Sequence, residues 1–140
     1  MIIRDFTEQD YPELMQLWES TGLGNPARGD DLTVITRTLS MGGKMLVMIN
    51  PDDGRLIGSS WITNDGRRLY LHHFGILPPY QHKGLARKLL DASLEFAGQT
   101  GLQIKLEVHQ TNTRAVELYK RAGFKDLGDY RVYIIRKYSY

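Results

Sequence analysis

A short stretch in the middle of the chain, Gln81-His82-Lys83-Gly84-Leu85-Ala86, combines small residues with positive charge. The residues before it predict a strand and those after it a long helix, so Gly84 would lie at a helix N-terminus. Backbone N–H groups there lack partners within the helix, and the helix dipole adds partial positive charge. A glycine lets these groups close around a phosphate, to which Lys83 and Arg87 would add charge. The stretch therefore predicts an anion-binding turn.

Two well-known phosphate-binding patterns do not describe this turn. Gly84 is followed by Leu85, which rules out the G-x-x-x-x-G-K-[ST] loop. The turn also lacks the three glycines of the dinucleotide fingerprint. A glycine that merely starts a helix is the plainer alternative, so the surroundings of the turn decide between the two.

The elements that would position the turn follow the order β-α-α-β-β-β-α-β-α-β, a mixed α/β fold in a single domain over residues 1–140. Apolar residues at helical spacing predict helices over 10–21, 31–40, 84–98 and 113–122, with Asp10 as the N-cap of the first. Alternating and β-branched stretches predict strands over 2–6, 44–50, 55–63, 68–76, 103–109 and 132–137, and a short one over 125–127. The segment 68–109 would be a crossover that makes its two strands parallel.

Composition excludes several classes of function. The 140 residues include no cysteine, which removes disulfides, thiolate metal sites and covalent cysteine intermediates. A net charge of +2 without a basic cluster argues against nucleic-acid binding. No apolar run approaches the length needed to span a membrane, and the N-terminus does not have the pattern of a signal peptide. We therefore expect a cytoplasmic protein that binds neither membranes nor a metal ion.

A second motif begins at Asn112 and reads N-x-x-A-x-x-L-Y-x-x-x-G-F, ending at Gly123-Phe124. The turn itself fits [Q/R]-x-x-G-x-[G/A] and follows Ile76-Leu77-Pro78. With both motifs, the chain resembles the Gcn5-related N-acetyltransferase (GNAT) family over most of its length. The resemblance implies a central, mixed and mostly antiparallel sheet with splayed parallel strands, flanked by about four helices. It also implies acetyl-CoA as the co-substrate and no metal.

The resemblance further implies which residues bind the cofactor. The backbone of Phe74, Gly75 and Ile76 would pair with the pantetheine arm as an extra strand would. Asn112 would reach the pantetheine, and Tyr119 would stand near the sulfur. The amides of the turn would hold the pyrophosphate, and they belong to Gln81, His82, Lys83, Gly84, Leu85, Ala86 and Arg87.

Acetyl transfer to an amine needs a neutral amine, stabilisation of a tetrahedral oxyanion and a proton for the departing thiolate. Because the chain has no cysteine, direct attack by the amine in a ternary complex is favoured over an acyl-enzyme. The N–H of Ile76 is the predicted oxyanion donor. Tyr119 is the predicted general acid, as the resemblance implies.

The general base stays open at this point. Glu107 is one candidate, because the segment 107–112 resembles the bacterial ribosomal-protein N-terminal alanine acetyltransferases. His72 and His73 are rivals, since a neutral imidazole suits this task near pH 7. Neighbouring residues of a strand face opposite sides, so at most one of the two histidines should qualify. A chain of waters is the fourth alternative.

The resemblance implies an acceptor groove lined by the first two helices, the loop between them and the final hairpin, here roughly residues 22–31 and 129–133. Asp30, Asp31 and Asp129 would attract a cationic amine, whereas Trp18 and Trp61 would line the pocket or belong to the core. The sequence leaves open whether the amine is a protein N-terminus, a lysine or a small molecule.

Three other hypotheses remain at this stage. The chain would be a catalytically silent acyl-CoA sensor if it bound the cofactor without turnover. The chain could also be a phosphate-binding module of unrelated fold. In that case the motif around Tyr119 would be a coincidence. A homodimer is suggested by the aromatic-rich stretch 133–138, which would form an exposed edge strand.

Overall fold

A five-stranded mixed sheet organises the computed structural model of the protein, which describes residues 1–139. Its strands follow the chain order without interruption. β1 to β4 pair antiparallel, and β5 joins β4 in parallel, as the crossover prediction requires. The strands are β1 (Ile2–Asp5), β2 (Lys44–Ile49), β3 (Leu56–Asn64), β4 (Arg68–Ile76) and β5 (Gln103–Leu106). The predicted mixed α/β class is confirmed.

The four predicted helices are present, within two residues of their predicted ends. They are α1 (Tyr11–Thr21), α2 (Leu32–Ser40), α3 (Leu85–Thr100) and α4 (Thr113–Arg121). α3 extends past Gly98 and ends where Gly101 adopts the left-handed conformation with φ of 73°. The Asp31 carboxylate caps α2 by accepting a hydrogen bond from the N–H of Val34 at 2.9 Å.

Asp10 is the N-cap residue of α1, as predicted, but its side chain makes no capping hydrogen bond to that helix. A short 3₁₀ turn, Glu8–Asp10, precedes the helix, and Thr7 is its N-cap. The Asp10 carboxylate accepts the Thr7 N–H at 2.8 Å and pairs with Arg4 at 2.7 Å. The hydrogen bond from Arg4 lowers the pKa of Asp10. Asp10 is thus the acidic partner of a capping box, because a 3₁₀ turn begins one turn before the helix that the apolar spacing indicates.

Two adjacent residues of β3 show how the helices cover the sheet. The Trp61 indole N–H donates to Thr38 of α2 at 2.9 Å, and its ring stacks on Trp18 of α1 at 5.7 Å. Ser60 faces the other side, where its hydroxyl is 2.7 Å from that of Ser93 on α3. α1 and α2 therefore cover one face of β3, and α3 covers the other. Most of the buried apolar side chains lie between these layers.

The chain divides into two compact units, Met1–Glu107 with the whole sheet and Val108–Tyr140 with α4. Residues 122–139 form no helix or strand, so the strands predicted over 125–127 and 132–137 are wrong. Tyr133 and Ile135 are 87% and 72% exposed. β-branched and aromatic residues form a strand only where a neighbouring strand pairs with them. The edge strand on which the homodimer hypothesis depends is therefore not formed within residues 1–139.

Two smaller differences concern the sheet and the helices. β5 ends at Leu106 rather than at the predicted residue 109, because its pairing with β4 stops there. Within residues 1–139, every helix is too short or too polar to cross a lipid bilayer.

Candidate active site

β4 continues beyond its pairing with β5. The two strands pair from Arg68 opposite Gln103 to Leu71 opposite Leu106. β4 then runs on to Ile76, whereas β5 has ended. Residues 72–76 therefore carry a backbone edge that β5 does not occupy, and this edge includes the residues predicted to bind pantetheine. An extended ligand could pair with it as a strand does.

The backbone of Ile76 faces this edge. The N–H of the next residue, Leu77, donates to the carbonyl of Ile57 in β3 at 2.8 Å. Because successive N–H groups of an extended chain alternate in direction, the Ile76 N–H points away from β3. The Gln81 side-chain amide donates to the Ile76 carbonyl at 2.8 Å. This bond joins the end of β4 to the turn that starts α3.

The turn before α3 has the geometry of an anion site. His82 and Gly84 both have positive φ, at 65° and 79°. Gly84 is the N-cap of α3, and no side chain of residues 1–139 caps that end of the helix. The first N–H groups of α3 are thus left for a ligand, in a region of partial positive charge.

The charged side chains of this turn have partners of their own. The Lys83 ammonium lies 5.9 Å from the centre of the Tyr80 ring. The Arg87 guanidinium pairs with Asp91, one turn along α3, at 2.9 Å. Both side chains are on the surface, where ion pairs contribute little and rearrange readily. Their predicted contact with a phosphate stays a prediction.

A β-bulge at residues 73 and 74, which we call the bulge, interrupts β4 just before Gly75 and Ile76, the two residues that we call the free edge. Ser59 of β3 lies opposite Gly75, and Trp61 lies opposite His72, so Ser60 faces both residues of the bulge. His73 takes up the extra residue with a φ of 47°, a conformation that non-glycine residues seldom adopt.

The bulge brings the two histidines to the same side of the sheet. Both rings contact Trp61, at 6.0 Å for His72 and 5.2 Å for His73 between ring centres. The expectation that neighbouring residues face opposite sides is wrong here, because the bulge interrupts the alternation of the strand. The His73 ring also packs on Trp18 at 4.5 Å.

His72 belongs to a network that ends at Glu107. The Tyr70 ring stacks on the His72 ring at 4.2 Å, and Glu107 is close enough to the Tyr70 hydroxyl to help raise its pKa. His72 Nε2 lies 2.9 Å from the Thr63 hydroxyl. Burial and the neighbouring His73 lower the pKa of His72 to about 4, whereas burial and the nearby Glu107 raise the pKa of Tyr70. At neutral pH the His72 ring is therefore uncharged.

The loop after α1 closes over the bulge from the other side. Asp30 Oδ2 lies 3.2 Å from His73 Nε2, off the line of a hydrogen bond, and accepts the N–H of Asn25 at 2.8 Å. Gly24 packs so tightly that an added Cβ would lie 2.6 Å from Trp18 and 2.7 Å from His73. The predicted acceptor loop and the bulge are thus in direct contact. Trp18 and Trp61 are buried core residues.

Three residues of this region are absent from the predictions. Tyr70 lies two residues before His72 in the same strand, so period-two alternation could have placed it on the same face. Thr63 and Ser59 gave no comparable signal, because their roles depend on which residues of β4 lie opposite them. Register across a hairpin is a property of the folded sheet.

The second unit holds the other two predicted site residues, Asn112 and Tyr119. The Asn112 side chain accepts the Ala115 N–H at 3.3 Å and so caps α4. The Tyr119 ring packs edge-on against Phe124 at 5.7 Å, and burial raises the pKa of its hydroxyl to about 12. A protonated phenol at neutral pH is what a general acid requires.

Within the described residues 1–139, no three His, Asp or Glu side chains form a group that could hold a metal ion. The functional groups that the first unit brings together are the free edge of β4, the turn before α3 and the network from His73 to Glu107.

Comparisons with known proteins agree with this arrangement. A model of the acetyltransferase (GNAT) family matches residues 7–124. The chain is similar to the mycothiol acetyltransferase of Clavibacter sepedonicus, with 35% identity over 82 residues, which cover 58% of this chain and 27% of that one. It is also similar to the N-alpha-acetyltransferase RimI of Mycobacterium tuberculosis, with 37% identity over 84 residues, covering 57% and 52%. The chain thus spans only about a quarter to a half of the length of these curated relatives.

Solved structures extend the likeness to the whole fold. A GNAT-family acetyltransferase from Staphylococcus aureus Mu50 superposes with a TM-score of 0.79 at 20% identity, covering 89% of this chain and 82% of the other. Members of the GNAT family use acetyl-CoA as their co-substrate. The family model, the fold and the two sequence motifs lead to one conclusion: this chain belongs to the acetyltransferase (GNAT) family of acetyl-CoA-dependent N-acetyltransferases.

Proposed function

We propose that this chain transfers an acetyl group from acetyl-CoA to a primary amine, by direct attack of the amine in a ternary complex. The observation that carries the proposal is the continuity between the free edge of β4 and the uncapped start of α3. The Gln81–Ile76 hydrogen bond of 2.8 Å joins these two parts. One offers backbone groups to an extended amide chain, and the other offers N–H groups to phosphates. Pantetheine followed by pyrophosphate has this order of groups.

The same geometry supports the assignment of backbone roles. The edge of Phe74, Gly75 and Ile76 would pair with the pantetheine amides. The Ile76 N–H, which points away from β3, would donate to the oxyanion as the tetrahedral intermediate forms. A backbone N–H held in a sheet needs no reorganisation at that moment, which makes such donors effective.

The side chains supply the proton transfers in this proposal. Glu107 takes a proton from the ammonium form of the acceptor, directly or through water, and the resulting neutral amine then attacks the thioester carbonyl. Tyr70, whose ring stacks on His72, lies near Glu107 and would orient its side chain. Tyr119 gives its proton to the thiolate of CoA, and Asn112 contacts the pantetheine. Burial lowers the pKa of His72 to about 4, so this ring does not have the near-neutral pKa that makes imidazole an effective base at pH 7.

The acceptor is a primary amine on a protein N-terminus, a lysine or a small molecule. The similarity to a protein named N-alpha-acetyltransferase makes a peptide α-amine the first acceptor to test. Asp30, held over the bulge beside His73, would attract the cationic form of such an amine. The cytoplasmic location and the homodimer stay predictions.

A thermal-shift titration with acetyl-CoA, CoA and ATP tests the cofactor. A ligand at 100 times its dissociation constant adds about 2.7 kcal/mol to the free energy of unfolding. We expect saturable stabilisation by acetyl-CoA and CoA but not by ATP. Turnover is then measured with a peptide α-amine, an N-acetylated lysine peptide and a small diamine. Binding without turnover of any amine would support the acyl-CoA sensor, and the absence of any shift would overturn the proposal.

A further inference from the structure

A chain of buried hydrogen bonds links the first helix to the bulge. The Trp18 indole N–H donates to the Ser59 hydroxyl at 2.9 Å. The Ser59 hydroxyl in turn donates to the carbonyl of His73 at 2.8 Å. Trp18 is 1% exposed and Ser59 is fully buried, so water does not compete with these bonds. We call this chain, Trp18–Ser59–His73, the relay.

The relay holds a backbone conformation that would otherwise relax. His73 has a φ of 47°, which a residue with a side chain adopts only when its surroundings impose it. Its carbonyl is fixed by Ser59, and its ring is fixed by Trp18 at 4.5 Å. Because the indole donates to Ser59, the serine hydroxyl must turn its own hydrogen toward His73. The relay therefore sets the direction of the His73 peptide group.

The position of the bulge gives the relay its importance. It lies between Leu71, the last residue of β4 that pairs with β5, and the free edge of Gly75 and Ile76. Gly75 on that edge also packs against the loop after α1, since an added Cβ would lie 2.5 Å from Leu23. Helix α1, its loop and the free edge thus meet at one strained residue.

We propose that Trp18 and Ser59 are positioning residues for acetyl transfer, which set the backbone of the free edge through the bulge. The inference rests on the proposed function, in which this edge holds the thioester and the oxyanion. Neither residue touches the substrates. When the relay is broken, His73 relaxes toward negative φ, and the N–H groups of the free edge no longer point toward the thioester. The turn before α3 still binds the phosphates.

Two neighbouring serines provide a matched pair of variants. Ser59 and Ser60 are both fully buried and hydrogen-bonded, but the Ser60 side chain bonds to Ser93 on the opposite face and takes no part in the relay. Ser59→Ala and Ser60→Ala therefore remove equivalent groups at adjacent positions. Trp18→Phe breaks the relay at its other end while it keeps an aromatic ring on His73.

The first measurement needs no cofactor. We expect Ser59→Ala and Trp18→Phe to speed amide hydrogen exchange at residues 73–76 about tenfold relative to Ser60→Ala, the upper end of what one hydrogen bond contributes. Equal exchange at these residues in the two serine variants would overturn the inference, whatever the enzyme does. The comparison is made only among variants that unfold cooperatively.

The second measurement separates rate from binding. We expect Ser59→Ala and Trp18→Phe to lower kcat about tenfold while the KM for acetyl-CoA changes less than about threefold. The reason is that these variants disturb the position of the thioester but leave phosphate binding intact. Ser60→Ala should keep the wild-type kcat. If Ser59→Ala and Ser60→Ala lose kcat equally, the relay is merely structural. If the wild-type protein acetylates no amine, the proposed function fails, and the exchange experiment still decides whether the relay holds the bulge.

Discussion

The side-chain amide of Gln81 donates a 2.8 Å hydrogen bond to the carbonyl oxygen of Ile76. This contact spans the turn Pro78–Tyr80 and fixes the distance between the free edge of β4 and the start of α3. A ligand that binds both parts at once needs that distance to be constant, because otherwise it must order the turn as it binds.

Gln81→Ala should therefore weaken acetyl-CoA binding about tenfold, as expected when one hydrogen bond no longer pre-organises a site. Isothermal titration calorimetry with acetyl-CoA measures the effect. Gln99→Ala, an exposed glutamine on α3, is the control and should bind as the wild type does. Equal affinities for all three proteins would show that the turn keeps its shape without this bond.

Alanine should change the free energy of unfolding in opposite directions at Gly84, the N-cap of α3, and at Gly98, in the last turns of that helix. Gly84 has a φ of 79°, so Gly84→Ala should lower the free energy of unfolding by about 1–2 kcal/mol. Gly98 lies inside the helix, and an added Cβ would meet no atom within 4 Å. Gly98→Ala should raise the free energy of unfolding by about 0.5–1 kcal/mol. Urea denaturation measures both, and a stabilised Gly84→Ala would contradict the left-handed N-cap.

Replacement of Glu107 tests the proposed base. Glu107→Gln keeps the size of the side chain and removes its charge, so kcat should fall about 10²- to 10⁴-fold, the usual contribution of a general base. The control is Glu95→Gln, which changes an exposed glutamate on α3. A kcat for Glu107→Gln within about threefold of wild type would transfer the base role to His73 or to a chain of waters.

The stability of the protein should depend on His72 at mildly acidic pH. Its pKa falls from 6.5 to about 4 in the folded state, chiefly through burial. Above pH 6.5 the ring is neutral in both states, and this stability is fully present. Between pH 6.5 and pH 4 the unfolded chain binds a proton that the folded one does not, so stability is lost as the pH falls. The loss is at most a few kcal/mol.

The measurement is urea denaturation at pH 7.0 and pH 5.0 for the wild type and for His72→Gln. The wild type should lose more free energy of unfolding between the two pH values than the variant does. Both proteins share all other titrating groups, so the difference isolates His72. Parallel losses would show that the ring takes up its proton in the folded state as easily as in the unfolded chain.

The sequence was sufficient for the parts of this fold that depend on local pattern. The helix over Leu85–Thr100 and the hairpins between β2, β3 and β4 follow from apolar spacing and turn residues. The glycine at position 84 was identified because its chemistry is local to one turn. The C-terminal residues 132–137 show the limit, since their strand propensity was high and they form no strand. A strand requires a partner, and no pattern within the segment reveals whether one is available.

The site shows the same limit at a finer scale. His72 and His73 were visible in the sequence, but the bulge that turns both toward Trp61 was not. A bulge arises from register between two strands, here from Ser60 facing two residues of β4. Ser59 likewise has no chemical signature, because its importance comes from lying between Trp18 and the carbonyl of His73.

The stacked pair of Trp18 and Trp61 has an optical consequence. The chain contains only these two tryptophans, and both rings contact the bulge histidine, at 4.5 Å and 5.2 Å. All indole emission of the protein therefore originates beside the bulge, whatever event changes it. Steady-state fluorescence excited at the red edge of indole absorption would report movement of the free edge in real time, without a dye or an introduced label.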